Sequence, residues 1–332
     1  MKRRKFINQS ATMGTGVLLF GSFACKQAKK ETENTMGEEE ATMESPELFF
    51  KLSLAQWSIN KMIREDGVDP YTFAEKAKAW GFTGLEYVSG LYYPELEKED
   101  FSEAAMNAFV EKSNAEAEKH GLENLLIMID GQGNLAASDE AERIAAVENH
   151  YKWVDAALAM GCHSIRVNLS GSKEQEEWTN ASIDGLTKLA TYAQPKNINI
   201  IVENHGGLSS NGALLAKVME QVNMENCGTL PDFGNFCIER DKDDWTNCLE
   251  EYDRYQGMAE LMPFAKAVSA KSHEFDENGN EKHTDYSRVL QLVKDAGYKG
   301  YIGVEYEGRG LSEEEGIIAT RDLLIKAGKA MS

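Results

Sequence analysis

The chain has 332 residues, with 55 acidic side chains against 35 basic ones and a formal net charge of -20. Such an excess repels phosphate backbones and anionic lipid surfaces, which excludes nucleic acid as a natural partner. With 42% hydrophobic and 27% charged residues, the composition supplies the core of one large domain or two modest ones.

The first 25 residues carry a basic start, an apolar stretch from Val17 to Phe23 and small residues before Cys25, the layout of an export signal. Arg3-Arg4-Lys5-Phe6-Ile7 resembles a twin-arginine export motif, and Ser22-Phe23-Ala24-Cys25 resembles a loose lipoprotein cleavage box, although leucine is more usual where Ser22 stands. The competing reading is an uncleaved anchor, but the apolar run falls short of the roughly 20 residues a span requires. The expectation is therefore an exported protein, periplasmic or tethered to the outer membrane, with a lipid on Cys25 as its one link to a bilayer. Residues 26 to 47 are charged and poor in large apolar groups. They cannot bury enough surface to offset ordering entropy, so they read as a flexible acidic linker.

From residue 48 the pattern alternates. Strands are expected over Phe49 to Trp57, Gly84 to Val88, Asn124 to Ile129 and His163 to Asn168, then Ile198 to Glu203, Gly228 to Pro231, Ala267 to Ser272 and Tyr301 to Glu305. Helices are expected between and after them: Pro70 to Trp80, Phe101 to His120, Asp139 to Met160, Ala181 to Ala193, Leu214 to Val222, Trp245 to Phe264, Tyr286 to Ala296 and Glu313 to Lys329. Eight βα units in about 280 residues, with nearly continuous apolar strands, predict a single α/β domain over residues 48 to 330, a (β/α)8 TIM barrel. An open dinucleotide-binding sheet is disfavoured, because Leu54-Ala55-Gln56-Trp57-Ser58 puts bulky groups where G-x-G-x-x-G would need glycines. Cys162, Cys227, Cys237 and Cys248 show no C-x-x-C spacing; they read as packing residues, with room for one disulfide among them.

In a parallel barrel the polar residues at the C-terminal ends of strands converge on one mouth. Here those ends carry Gln56 and Trp57, Glu86, Asp130, Arg166 and Asn168, Glu203 and His205, Asp232 and Asn235, Lys271 and His273, and Glu305 and Glu307. Glu203, Asp232, His273 and Glu305 fall on four successive strands. Three carboxylates and an imidazole facing one another repel unless a cation lies between them, and such oxygen and nitrogen donors suit a hard or borderline divalent ion.

In order and strand position these four match the metal ligands of the xylose-isomerase-like TIM-barrel superfamily. The segments IVENHGG, TLPDFGNF, AVSAKSHEFDENGN and GYKGYIGVEYEG resemble the exported sugar phosphate isomerase/epimerase-like proteins of that group, and the likeness spans residues 48 to 328. It implies a divalent metal ion (Mn, Mg, Co or Zn) held by Glu203, Asp232, His273 and Glu305, with Glu203 and Glu305 doubling as acid and base. The implied reaction is isomerisation or epimerisation through an enediolate. Export favours an unphosphorylated carbohydrate as substrate, since phosphorylated sugars are chiefly intracellular. His205, Lys271, Trp57, Asn235 and Arg309 are the expected substrate contacts, and a homo-oligomer is compatible with all of this.

Two departures from the family pattern bear on the ligands. Many members place the seventh-strand histidine two residues before the lysine; here that position is Ser269, and His273 follows Lys271. His205 is then the alternative fourth ligand. Asn235 stands where the nuclease branch has a histidine, which disfavours three-metal nuclease chemistry. A 3-keto-glycoside lyase or hydratase on the same scaffold is compatible with the same residues, and so is a non-catalytic carbohydrate-binding lipoprotein.

Overall fold

The computed structural model describes residues 47–244 and 246–331. The expected export signal and nearly all of the linker lie outside the described residues. Eight parallel strands form the main sheet: β1 (Lys51–Ala55), β2 (Gly84–Val88), β3 (Glu123–Met128), β4 (Ser164–Val167), β5 (Asn199–Glu203), β6 (Cys227–Leu230), β9 (Val268–Ser272) and β10 (Tyr301–Tyr306). Between β6 and β9 the chain makes a separate hairpin, β7 (Cys237–Arg240) with β8 (Cys248–Glu251). The spatial order of the main sheet is β6-β5-β4-β3-β2-β1-β10-β9. Its two ends meet through isolated parallel bridges, Thr229 with Ala265 and Asp232 with Ser269. The Phe233 amide donates to the Ser269 carbonyl and the Ser269 amide to the Pro231 carbonyl, each at 3.0 Å. The sheet thus closes on itself as a TIM barrel.

The strands are buried on both faces, as a helix-wrapped parallel sheet requires. In β5, Ile200, Ile201 and Val202 are all 0% exposed, and the period of two sends Ile201 and Glu203 to one face and Ile200 and Val202 to the other. Helices pack outside, many begun by side-chain caps that satisfy their first free amides. Asp139 accepts from Glu142, Asn211 from Leu214, and Ser312 with Glu315 makes a full capping box.

Three helices differ from expectation. The helix expected over Ala181 to Ala193 begins earlier, at Gln175. Pro70 to Trp80 is a 3-10 turn at Pro70–Thr72 leading into a helix at Phe73–Ala79, with proline seated in the first turn where its missing amide costs nothing. The expected helix from Trp245 to Phe264 is a larger correction. Its first part is β8, paired antiparallel with β7, and only Arg254–Leu261 is α-helical; Trp245 itself lies outside the described residues. A disulfide joins Cys237 to Cys248 with their Cα atoms 5.8 Å apart, and this cross-link overrides the helical leaning of the intervening sequence. Cys162 and Cys227 are free and buried.

Candidate active site

Three carboxylates meet at the C-terminal end of the barrel. Glu203 is the last residue of β5, Asp232 follows β6, and Glu305 lies near the end of β10. One oxygen from each lies within 4.8 Å of the others, and all three residues are buried. Asp232 is held most tightly. Its Oδ1 accepts from the backbone amides of Gly234 and Asn235 at 2.9 and 2.8 Å, and its Oδ2 from the Ser269 hydroxyl at 2.7 Å. Ser269 also reaches Glu305 Oε2 at 3.0 Å. Asn204, beside Glu203, accepts from the Asp232 amide and donates to the carbonyls of Asp232 and Asn235, so its side chain fixes the next loop rather than the site. Asn235 Nδ2 donates to Glu203 Oε1 at 2.9 Å.

Two buried cations serve this cluster. Arg166, on β4, pairs through Nε with Glu203 Oε2 and through Nη1 with Asp130 Oδ1, both at 2.9 Å, and Asn168 also donates to that Asp130 oxygen. Lys271, on β9 and 2% exposed, has its Nζ 3.1 Å from Glu307, 3.5 Å from Glu305 and 3.9 Å from Glu203.

The electrostatics follow from this crowding. Burial, reinforced by Glu203 and opposed by Lys271, pushes Asp232 up to about 6. Glu305 is raised well above the carboxylate range by burial and the neighbouring carboxylates, against the pull of Lys271. Against the upward push of burial, Lys271 and His273 hold Glu307 below its usual value, and Arg166 does the same for Asp130. For Lys271, desolvation is outweighed by Asp232, Glu305 and Glu307, which keep it charged far above its ordinary range.

A further carboxylate, Glu86 of β2, lies buried in the barrel. Its Oε1 accepts from Ser53 at 2.6 Å, and its Oε2 has no hydrogen-bond partner among the described residues. The group rests against Gly303, where a Cβ would come within 2.4 Å of it; glycine there supplies space. Desolvation raises Glu86 to about 7, with the Ser53 bond opposing.

The remaining expected residues take varied places. His273 lies one residue beyond β9, half-buried, and is not part of the three-carboxylate cluster. Desolvation lowers its pKa, opposed by Glu307. His205 is exposed, and the following Gly206, at φ 85°, turns the chain away with a backbone few other residues adopt. Desolvation within the mouth lowers its pKa, partly offset by Glu203. Trp57 is half-buried in the 3-10 turn Gln56–Ile59 that follows β1, with the Arg64 guanidinium 5.8 Å above its ring. Arg309 is exposed beyond β10 and makes no ion pair with a described residue. Arg166, Asp130, Ser269 and Glu86 received no role from sequence, although Arg166 and Asp130 stand at strand ends where that signal was present.

Residues 74–327 match the family model described as xylose isomerase-like TIM barrel. The chain belongs to that family. Among solved structures, the xylose isomerase-like barrel is similar to the IOLI protein with a bound zinc atom, at TM-score 0.64 and 14% identity, covering 85% of this chain and 99% of that one. It is similar to the 3-keto-D-glucoside 4-epimerase of E. coli, at TM-score 0.61 and 13% identity, covering 83% and 99%. In sequence it is 37% identical over 54 residues to the C-glycoside deglycosidase alpha subunit of Arthrobacter globiformis. That stretch is 16% of this chain and only 15% of the relative's length.

The carboxylates fit a divalent ion by their own chemistry. Glu203, Glu305 and Glu307 share one lysine, Asp232 adds a further carboxylate to the cluster, and the arginine is shared with Asp130. Oxygen donors at this spacing with an excess of negative charge suit Mg, Mn or Zn.

Proposed function

We propose that this barrel is a divalent-metal-dependent sugar isomerase or epimerase, moving a proton at the carbon beside a carbonyl of an unphosphorylated carbohydrate. The observation that carries the reading is the buried convergence of Glu203, Asp232 and Glu305. When bound there, a divalent ion would polarise the substrate carbonyl and acidify the neighbouring C–H.

The protein's residues divide the remaining work. Both oxygens of Asp232 are engaged by backbone amides and by Ser269, which suits it to holding rather than to proton transfer. Glu203 and Glu305 come from β5 and β10, separated around the barrel by β6 and β9. A substrate carbon between two carboxylates can lose its proton to one and regain it from the other. Lys271 supplies positive charge for an enediolate oxygen, while Asn235 fixes the Glu203 carboxylate. Trp57, His205 and Arg309 would meet the sugar at the rim, and His273, one residue beyond β9, is the nitrogen donor proposed for the ion, with His205 as the alternative.

A second reading is lysis of a 3-keto-glycoside, which begins with the same proton removal and ends in loss of a leaving group. The local likeness to a deglycosidase subunit supports it. A non-catalytic carbohydrate-binding role is weaker, because it leaves both Glu203 and Glu305 without a task. Export and attachment through Cys25 belong to the same proposal. The Cys237–Cys248 disulfide supports it, since such bonds persist in oxidising compartments.

The test is incubation of the full chain with candidate ketoses and 3-keto-glycosides in deuterated buffer, with Mn, Mg, Co or Zn supplied. Deuterium is expected beside the carbonyl of one of them, and product analysis separates rearrangement from elimination. No exchange with any substrate and any metal would overturn the proposal.

A further inference from the structure

Lys271 is an unusual group to find among ligands for a cation. Its ammonium lies 3.5 Å from Glu305 Oε1 and 3.9 Å from Glu203 Oε1, two of the three carboxylates that converge here. Arg166 is clamped between Glu203 and Asp130 by two contacts of 2.9 Å. Lys271 is held differently. It sits at the end of a flexible four-carbon stem, and its shortest contact, 3.1 Å, is to Glu307, whose side chain is 28% exposed at the rim.

We propose that Lys271 is a resident counter-cation: it neutralises Glu203 and Glu305 before a metal ion arrives, gives them up when the ion binds, and keeps Glu307. The inference rests on the metal-dependent reading above. Arg166 already pairs with Glu203; the Lys271 ammonium adds a second positive charge facing Glu203 and Glu305, and the lower repulsion among the buried carboxylates lets the barrel fold before it is loaded. The same ammonium must then oppose the ion. A divalent charge beside a fixed single charge loses affinity by roughly tenfold or more even in a medium as polar as water, unless the single charge withdraws. Glu307 provides the group to which it withdraws. A lysine that stayed in place when the ion bound would keep its contacts with Glu203 and Glu305 and bear this repulsion in full.

The experiment uses the full chain stripped with chelator and titrated calorimetrically with manganese chloride, wild type beside Lys271→Met. The variant is expected to bind manganese more tightly, by up to the roughly tenfold that an ammonium left in place would cost, with a lower melting temperature when stripped and a larger rise on adding the ion. Equal or weaker binding by the variant, with normal binding by wild type, would overturn the counter-cation role and leave the metal reading standing. Failure of both proteins to bind manganese, magnesium, cobalt or zinc would overturn both. Should the variant not fold, crystals of wild type soaked in manganese decide the matter. The ammonium is expected to leave Glu203 and Glu305 while retaining Glu307, and an ion seated on the carboxylates with Lys271 unmoved would refute the proposal.

Discussion

Replacing Glu86 by glutamine should make the domain more stable at pH 8 than the wild type, while changing little at pH 4. The carboxyl is buried, one oxygen takes the Ser53 hydroxyl, and the other has no described partner. Burial is the main cause of its displacement from 4.5 to about 7; the Ser53 bond and Arg166 oppose it, and Glu203 reinforces it. Between those two values the folded state binds more protons at this position than the unfolded chain does. Stability therefore falls as pH rises through this window, whereas below it both states are protonated and no penalty exists. A displacement of this size corresponds to roughly 3 kcal/mol above pH 7. Glutamine keeps the shape and an acceptor for Ser53 but has no proton to lose. Urea unfolding of metal-free wild type and Glu86→Gln at pH 4, 6 and 8 gives the comparison. The advantage of the variant should grow by about 3 kcal/mol across the series. A difference that does not vary with pH would refute a buried carboxyl that ionises at a cost.

The other expectations are simpler to read. Glu203→Gln and Glu305→Gln should each lower turnover by about 10²- to 10⁴-fold, the range for loss of a general acid or base, measured once a substrate that exchanges deuterium is in hand. Asn235→Ala removes the 2.9 Å bond to Glu203 and should reduce metal affinity or turnover by roughly tenfold or more, checked by titration with manganese. Opening the Cys237–Cys248 bridge, which spans 11 positions, should cost about 3 kcal/mol in the chain-entropy picture. Thermal unfolding with and without reductant tests this, and an unchanged melting temperature would mean that the hairpin does not unfold with the barrel.

The barrel and the mouth carboxylates were legible because both depend on local pattern. Apolar runs alternating with helical periods predict the parallel strands, and a glutamate after Ile200-Ile201-Val202 has few places to go other than a strand end. The hairpin was not legible. Its segment, CIERDKDDWTNCLEEYD, is dense in charge and helix-compatible, and only pairing across the disulfide makes β8 a strand. For His273 both the alternation and the strand end at Ser272 were legible; the path of the chain past that end was not. Ser269 and Lys271 turn inward and meet the carboxylates, and the same period would bring residue 273 inward, yet β9 ends at Ser272. Glu86 was visible as a residue of the second strand. Its setting depends on the space left by Gly303 on β10, a long-range fact that no local pattern carries.

The closure of the barrel gives the site a mechanical side. Every other neighbouring pair in the wall is joined by a strand ladder, whereas β6 and β9 meet only through isolated bridges, one of them between Asp232 and Ser269. Their side chains repeat the join, Ser269 Oγ to Asp232 Oδ2, so the slot where the barrel could part runs through the groups assigned to the ion. Chemistry and closure share one hinge line. A substitution at Asp232 or Ser269 is then both a lesion in the site and a cut in the hoop, and a loss of activity there acquires its meaning from whether the Phe233 and Ser269 amides begin to exchange with solvent.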